Sequence, residues 1–395
     1  MKETHETGGV TRRSFIQRMA ATSALAMTGM AFKTADAAYQ KGERKVKVGV
    51  IGCGSVSGSY LPVMVESPVI ELVSACDIIV SRAEDRANQF NIPHVFPHID
   101  KMLAGPHFDL LVNLTSMPAH YPLNRQGLEA GRHVWSEKPL AVRYEDARQL
   151  LPLARKKNVG LWAAPITVLS PQFEFMARTL AGGKLGRVTA AHAHYGHEGH
   201  LWSAWFFQKG GGSLYDLGVY NVTSLTGLLG PAKSVVGMTS VCSPVRTLTD
   251  GTDVKAEVAD NDMLIMDHGN GVLSHVQSGY NYGSADGHSG KTDQYTIDFW
   301  GTEGDMHLCG YDWGPHGVDV TTLKEPRIRS AEDPAGYRWQ NGGAYIAERI
   351  ATGRQSLVTA EHALHVLEVM DACHESSRTG KRIDIESTFK WPLFA

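Results

Sequence analysis

Three side chains of this 395-residue sequence stand where their types and spacing suit proton and hydroxyl chemistry. Lys138 sits in Glu137-Lys138-Pro139, directly after the apolar run His133-Val134-Trp135-Ser136. Read as a buried strand, that run carries Lys138 to its carboxyl end, the edge at which open α/β sheets bind ligands. A desolvated amine there binds a hydroxyl and shifts its proton affinity; the alternative is a solvated surface lysine. Asp216 and Tyr220 stand four apart, just after Gly210-Gly211-Gly212. If a helix starts behind those glycines, both side chains share one face, a turn apart. A phenol with an ordinary pKa near 10 needs a neighbouring cation to act as a base, and Lys138 is a source of that charge. In the competing reading Asp216 is a helix N-terminal carboxylate and Tyr220 is core packing.

A second constellation suits phosphate. Gly52-Cys53-Gly54-Ser55-Val56-Ser57-Gly58 follows the β-rich residues 45–51. A strand running into G-x-G at the start of a helix makes a phosphate-binding turn. Gly52 permits the tight turn and Gly54 lets the backbone approach a pyrophosphate. Ser55 and Val56 complete the loop at a helix N-terminus, whose field suits an anion. The third small position is Ser57, with Gly58 one residue late; serine is small enough for close helix–strand packing. A second apolar run, residues 70–76, ends at Asp77, 20 residues beyond Ser57. That is the spacing of the acid that takes ribose hydroxyls. A carboxylate there repels a 2′-phosphate and favours NAD, while nearby Arg82 keeps NADP open. The alternative is a glycine turn in another α/β protein.

Four histidines crowd residues 192–200: His192, His194, His197 and His200. On a strand His192 and His194 share a face, half of a zinc site by ligand type. The other reading gives His197 or Glu198 a polar, substrate-lining role. Trp202, Trp205, Phe206 and Phe207 follow, as a stacking surface for a sugar ring, as core or as a subunit contact. The five cysteines are scattered without a CxxC pair, so neither a zinc ribbon nor a disulfide framework is signalled.

These residues need elements to hold them. Residues 108–114 read as a buried parallel strand, with Asn113, Thr115, Pro118 and His120 on the loop behind it. A helix over 123–130 stops at Gly131. Residues 144–157 have helical spacing, kinked or shortened by Pro152, and 159–163 close the α/β unit. Farther on, 188–195, 232–243, 263–267, 272–279 and 295–301 are strand-like. His268-Gly269-Asn270-Gly271 is a hairpin turn. Ala363, Val366, Leu367, Met370 and Cys373 form one apolar stripe over 360–378, stopped by Gly380.

Thr11-Arg12-Arg13-Ser14-Phe15-Ile16-Gln17, a weakly apolar run over 19–32 and Ala35-Asp36-Ala37 fit a twin-arginine signal peptide over residues 1–37. An Arg-rich tail is the alternative. The apolar run is shorter than the roughly 20 residues of a spanning helix, and no other segment spans a membrane. Such a leader implies the twin-arginine translocase as partner, a periplasmic or secreted destination, and export already folded. A composition of 43% hydrophobic and 20% charged residues excludes a disordered or collagen-like chain. The net charge of -3 argues against a nucleic-acid partner, and the length suggests two domains.

Together these motifs resemble the Gfo/Idh/MocA family, the glucose–fructose oxidoreductase, inositol dehydrogenase and rhizopine-catabolism group. The resemblance rests on Gly52-Cys53-Gly54 with its helix, residues 129–134 leading to Glu137-Lys138-Pro139, residues 210–220, and Gly301-Thr302-Glu303-Gly304 after a strand. It runs over about residues 45–390. It implies an α/β fold: an N-terminal Rossmann NAD(P)-binding domain over 45–165 and a C-terminal α+β domain over 166–390. The second domain would carry a large open, mainly antiparallel sheet that packs on another copy, as a homodimer or homotetramer. The resemblance also implies Lys138 beside nicotinamide and substrate, Asp216 on substrate hydroxyls and Tyr220 as acid/base. It puts cofactor contacts at Asn113, Thr115, His120 and Glu137 and requires no metal; the residues themselves add His197, Glu198 and Trp202 as expected substrate contacts.

The reaction expected on this basis is oxidation of a carbinol of a sugar, polyol or glycoside with tightly bound NAD, or NADP. A hydride passes to nicotinamide, Tyr220 assisted by Lys138 takes the hydroxyl proton, and Asp216 fixes an adjacent hydroxyl. An exported enzyme must restore its cofactor in place. It does so by reducing a second sugar, or by a redox-neutral glycosidase cycle of oxidation, elimination, hydration and re-reduction. A non-catalytic sugar- or partner-binding protein is the third reading, against which the presence of Lys138 and Tyr220 counts.

Overall fold

Short runs of Val, Ile and Leu, buried on both faces, build the first sheet. The computed structural model describes residues 45–283, 294–331 and 337–394; the expected signal peptide, residues 1–37, lies outside them. The sheet contains β1 (Val46–Ile51), β2 (Ile70–Cys76), β3 (His94–Phe96), β4 (Leu110–Asn113), β5 (His133–Ser136) and β6 (Leu161–Ala163). All pairs are parallel, in the order β3-β2-β1-β4-β5-β6. This is the doubly wound Rossmann order, whose switch point falls between β1 and β4. Val48, Val50, Leu110, Leu111 and Val112 are 0% exposed, each contributing about 1.5–3 kcal/mol of burial.

Helices α1 (Ser57–Glu66), α2 (Val80–Phe90), α3 (Ile99–Ala104), α4 (Met117–Glu129), α5 (Tyr144–Ala147) and α6 (Leu150–Lys157) connect these strands. Helix α4 begins well before residue 123, so Pro118 and His120 lie in its first turns and not on a loop. Pro118 is the second helical residue, where an amide has no intrahelical partner to lose. Pro152 stands likewise in the first turn of α6, and the expected helix over 144–157 is split in two.

The second sheet has nine strands. In chain order the strands are β7 (Val188–Gly196), β8 (Ser234–Ser240), a separate antiparallel pair β9 (Val245–Thr247) and β10 (Asp253–Lys255), then β11 (Asn261–Asp267), β12 (Leu273–Gly279), β13 (Tyr295–Gly301), β14 (Gly304–Tyr311), β15 (Gly314–Thr322), β16 (Ile328–Ser330) and β17 (Ile383–Asp384). The sheet order is β16-β15-β14-β13-β7-β12-β11-β8-β17. Its pairs are antiparallel except β7–β12. Helices α7 (Pro171–Ala181) and α8 (Val219–Leu229) pack on this sheet. Two further helices, α9 (Gly342–Thr352) and α10 (Ala360–Thr379), come late in the chain. Helix α10 lies on β8, where a Cβ at Gly237 would stand 2.4 Å from Cys373 Sγ. On the opposite face Val236, Met238, Met263 and Ile265 are exposed.

Helix α9 returns to the first sheet: a Cβ at Gly342 would stand 2.1 Å from buried Trp135. The Rossmann layer is therefore completed by residues from beyond the division expected at 165. Among the described residues, no helix is long and apolar enough to cross a membrane, and all five cysteines are free thiols.

Candidate active site

The carboxyl ends of β1, β2, β4 and β5 open onto one crevice of about 1130 Å³, at the switch point where such sheets bind ligands. Gly52 has φ +89, and a Cβ there would sit 2.6 Å from the Leu114 and Thr115 backbone. At Gly54 a Cβ would meet nothing within 4 Å, so the glycine leaves a cradle open to the crevice. Ser57 is fully buried, as close helix–strand packing requires; its hydroxyl donates to the Gly54 carbonyl at 2.6 Å. Asp77 ends β2 and accepts from the Cys53 and Ile79 amides, both at 2.8 Å. Ser55, Val56 and Arg82 also line the crevice. Open cradle, helix N-terminus and fixed carboxylate fit a dinucleotide: Gly52–Val56 would hold the phosphates and Asp77 the ribose hydroxyls.

The end of β4 shapes the floor. Thr115 and His120 line the crevice, but Asn113 does not. Asn113 is fully buried, donating to Asn124 Oδ1 at 2.9 Å and accepting from Thr115 Oγ1 at 2.6 Å. It sets the loop and makes no contact with the cavity. The His120 ring nitrogens face the Pro139 and Thr115 carbonyls at 2.7 and 2.9 Å. Burial pushes this imidazole below its ordinary pKa, and a neutral ring donates only one of those two bonds. Glu137 accepts from Tyr60 of α1 at 2.5 Å and from the Lys138 amide at 3.0 Å. Tyr60 thus supports the Lys138 loop, a role that its place in the sequence did not signal.

Lys138 and Asp216 meet. The Lys138 Nζ donates to Asp216 Oδ1 and to the Asp216 carbonyl, both at 2.7 Å. Asp216 lies in a π-helical turn, Leu214–Gly218, that runs into α8, a local widening that recurs at functional sites. The turn is anchored by the Ser213 hydroxyl, which donates to buried Asp262. Asp216 Oδ2 accepts from Tyr280 at 2.8 Å, and His200 Nε2 stands 3.1 Å away. Burial alone would raise the Asp216 carboxyl, but the Lys138 and His200 charges and hydrogen bonds outweigh it and hold it well below the usual carboxylate range. Behind this turn, Asp371 of α10 accepts from the Tyr215 hydroxyl and from the Tyr144 amide, both at 2.6 Å.

Tyr220 shares the crevice wall with Lys138 and Asp216. The Lys138 ammonium lies 5.1 Å from the centre of the Tyr220 ring, over its face. Burial raises the phenol well above its ordinary pKa, and Glu137, Asp216 and Asp312 add to the rise. The same Lys138 ammonium is also bound by Asp216.

The histidine segment also departs from expectation. His197 is 0% exposed and stacks on Tyr280 at 5.8 Å, accepting from the Gly199 amide. Glu198 is exposed, and its carbonyl accepts from Arg246. Neither lines the crevice; His200 does. Between the two histidines Gly199 has φ +95, a left-handed backbone that suits glycine. Trp202 lines the crevice and is 55% exposed, beside Trp205 stacked on Phe206 at 3.7 Å. His192 pairs with His275 across β7 and β12 at 2.9 Å. Among the described residues no three potential ligands gather to hold a metal.

Two family models match: an oxidoreductase family with an NAD-binding Rossmann fold, over residues 46–164, and a GFO/IDH/MocA C-terminal domain, over residues 173–307. The trans-1,2-dihydrobenzene-1,2-diol dehydrogenase of Mus musculus is 29% identical over 47% of this chain, and the match spans 56% of that enzyme's length. The scyllo-inositol 2-dehydrogenase (NADP(+)) IolW of Bacillus subtilis is 25% identical over 88% of this chain and 98% of its own. Among solved structures, the aldose–aldose oxidoreductase of Caulobacter crescentus, complexed with glycerol, superposes with a TM-score of 0.74. It is 20% identical and covers 87% of this chain and 100% of its own. Matched by the family's two domain models over residues 46–164 and 173–307, and by a relative along 88% of its length, the chain belongs to the Gfo/Idh/MocA family of oxidoreductases.

Proposed function

We propose that the crevice oxidises and reduces a carbinol carbon of a sugar, polyol or glycoside with NAD, or NADP, held tightly. One observation carries this reading. A single cavity joins an open dinucleotide cradle at Gly54 and Asp77 to a wall of hydroxyl-binding groups, Lys138, Asp216, Tyr220 and His200. Nicotinamide, when bound, supplies a two-electron acceptor and donor of hydride. The chain's own residues bind and orient the substrate. Lys138 and Tyr220 donate to hydroxyl oxygens, and Asp216 accepts from a hydroxyl hydrogen. Trp202 and Trp205 offer apolar faces to the C–H side of a sugar ring. At this end the Lys138 charge is already matched by Asp216, which favours a neutral substrate over an acidic one.

The twin-arginine pattern supports export to the periplasm or beyond through that translocase. An exported enzyme has little cofactor to exchange, so the reading includes a closed cycle in which a second carbonyl takes back the hydride. A redox-neutral glycosidase would close the cycle on one substrate. On the uncovered sheet face, Met263 pairs with Met238 and Ile265 with Val236. These exposed apolar pairs support a homodimer or homotetramer built there.

The test starts with folded protein purified from the periplasm. Mass analysis of nucleotide released on denaturation should find near-stoichiometric NAD(H) or NADP(H). The nicotinamide absorbance should then change with one sugar and reset with another. Free sugar released from an aryl glycoside without net absorbance change would instead identify the glycosidase. No nucleotide and no turnover over a broad sugar panel would overturn the proposal in favour of a binding protein.

A further inference from the structure

We propose that Arg86 is the fixed positive charge of the dinucleotide cradle, a guanidinium tethered over the start of α1 that meets the pyrophosphate of NAD or NADP. The inference rests on the reading of the crevice as a dinucleotide site and adds to it a residue from outside the glycine turn. Backbone amides and a helix N-terminus offer only partial charges to an anion. The turn also departs from the G-x-G-x-x-G spacing, with Ser57 at the third small position and Gly58 one residue late. Both departures meet at Arg86.

Arg86 stands on α2 and lines the crevice. Its Nε donates to the Ser57 hydroxyl at 3.0 Å, its Nη2 to the Gly54 carbonyl at 3.4 Å and its Nη1 to Gln89 Oε1 at 2.8 Å. The Ser57 hydroxyl itself donates to the Gly54 carbonyl, so the guanidinium closes a ring of bonds onto the second glycine of the turn. A Cβ at Gly58 would stand 3.0 Å from Arg86 Nη2 and 3.5 Å from Cζ. The late glycine thus leaves the room in which the guanidinium lies.

The group suits an anion. A guanidinium has five N–H donors, and these three bonds leave two for a ligand. Among the described residues no carboxylate pairs with it; its partners are a hydroxyl, a carbonyl and a side-chain amide oxygen. Asp77 is taken up instead by the Cys53 and Ile79 amides, and α1 has no acid in its first turn. Gly54 is where the backbone approaches a pyrophosphate, and the guanidinium is within hydrogen-bond distance of that residue. Its charge is felt farther along the turn: burial and Asp77 push the Cys53 thiol up, and Arg86 opposes them. Held by Ser57 and Gln89 before the ligand arrives, the side chain loses little freedom on binding.

The test titrates NADH and NADPH by fluorescence into wild type and Arg86→Gln, with ADP-ribose as a competitor that carries the pyrophosphate without nicotinamide. We expect Arg86→Gln to bind all three about 10–100-fold more weakly, each by the same factor, the loss of one charge-assisted contact. Its melting temperature without nucleotide should stay within about 2 °C of wild type. Added salt should weaken wild type more steeply than Arg86→Gln, which a bracing role alone would not produce. Gly58→Leu keeps Arg86 but puts carbons where the guanidinium lies, and should weaken the same three ligands in the same proportion; it decides the question if Arg86→Gln does not fold. NADH affinity of Arg86→Gln within about threefold of wild type overturns the inference. Loss confined to NADPH assigns the charge to a 2′-phosphate and overturns it as well. Equal loss with a parallel salt dependence makes Arg86 a brace for the turn, with the same consequence. Wild type that binds neither NADH nor NADPH refutes the dinucleotide reading and the inference with it.

Discussion

Replacing Lys138 by methionine would strand a buried carboxylate, and the consequence can be worked from the geometry. The Lys138 Nζ–Asp216 Oδ1 distance is 2.7 Å, with the side chains 13% and 6% exposed. Removing one member of such a pair leaves the other charge uncompensated, at a cost of about 3–5 kcal/mol. Tyr280 and His200 remain on Oδ2, so the lower end, about 3 kcal/mol, is expected. The double variant Lys138→Met/Asp216→Asn removes the charge as well as its partner. It should therefore lose less than the sum of the singles, with a coupling of about 1.5–3 kcal/mol. Urea unfolding of the four proteins at neutral pH, extrapolated linearly, measures this. The pH dependence has a definite sign. Asp216 is depressed in the folded chain, so its contribution is present above the ordinary carboxylate pKa near 4 and is lost as the pH falls below it. The margin of wild type over Asp216→Asn should shrink on acidification. A Lys138→Met protein within about 0.5 kcal/mol of wild type, or strict additivity in the double variant, would refute the reasoning.

Gly54→Val should leave the melting temperature within about 2 °C of wild type, because the added carbons point into open space, yet weaken NADH at least about tenfold by fluorescence titration. Gly52→Ala, forced against backbone at φ +89, should cost about 2 kcal/mol or more in urea unfolding. Burial pushes the Asp312 carboxyl up to about 7, so its contribution is full below pH 4 and lost as the pH rises through 7. Asp312→Asn should accordingly be more stable than wild type at pH 8 and little different at pH 4; an equal gain at both would contradict this. Gly342→Ala should destabilise by about 1–3 kcal/mol through its clash with Trp135, read by calorimetry.

The first half of the fold was plain in the sequence because its signals are local. Parallel strands buried on both faces read as unbroken apolar runs, and the distance from Ser57 to Asp77 is one βαβ unit. The start of α4 was hidden by Pro118 and Pro122, residues that usually mark the outside of a helix. Strands β14 and β15 are rich in Gly, His and Asp and lack the alternation that marks a half-buried strand. The site divides in the same way. Lys138, Asp216 and Tyr220 follow local motifs, but the partner that Lys138 chooses depends on packing between distant elements. Four histidines within nine residues gave no means of choosing among them. The choice of His200 depends on the path of the chain past the end of β7, where Gly199 has φ +95, and that of Tyr280 on the parallel pairing of β7 with β12. Neither is written in a spacing.

The carboxylate of Asp371 has a mechanical consequence. It grips the first residue of α5 through the Tyr144 amide and the neighbour of Asp216 through the Tyr215 hydroxyl. Hydrogen bonds to a charged acceptor contribute about 1.5–3 kcal/mol each. A swing that parts the two lobes at this end must release the Tyr144 bond, since Tyr215 and Asp371 lie in the same lobe; at about 1.5–3 kcal/mol this holds the opened form below roughly 10% of molecules. The bond from the Tyr144 amide to Asp371 thus acts as a clasp between the lobes, behind the turn that carries Asp216.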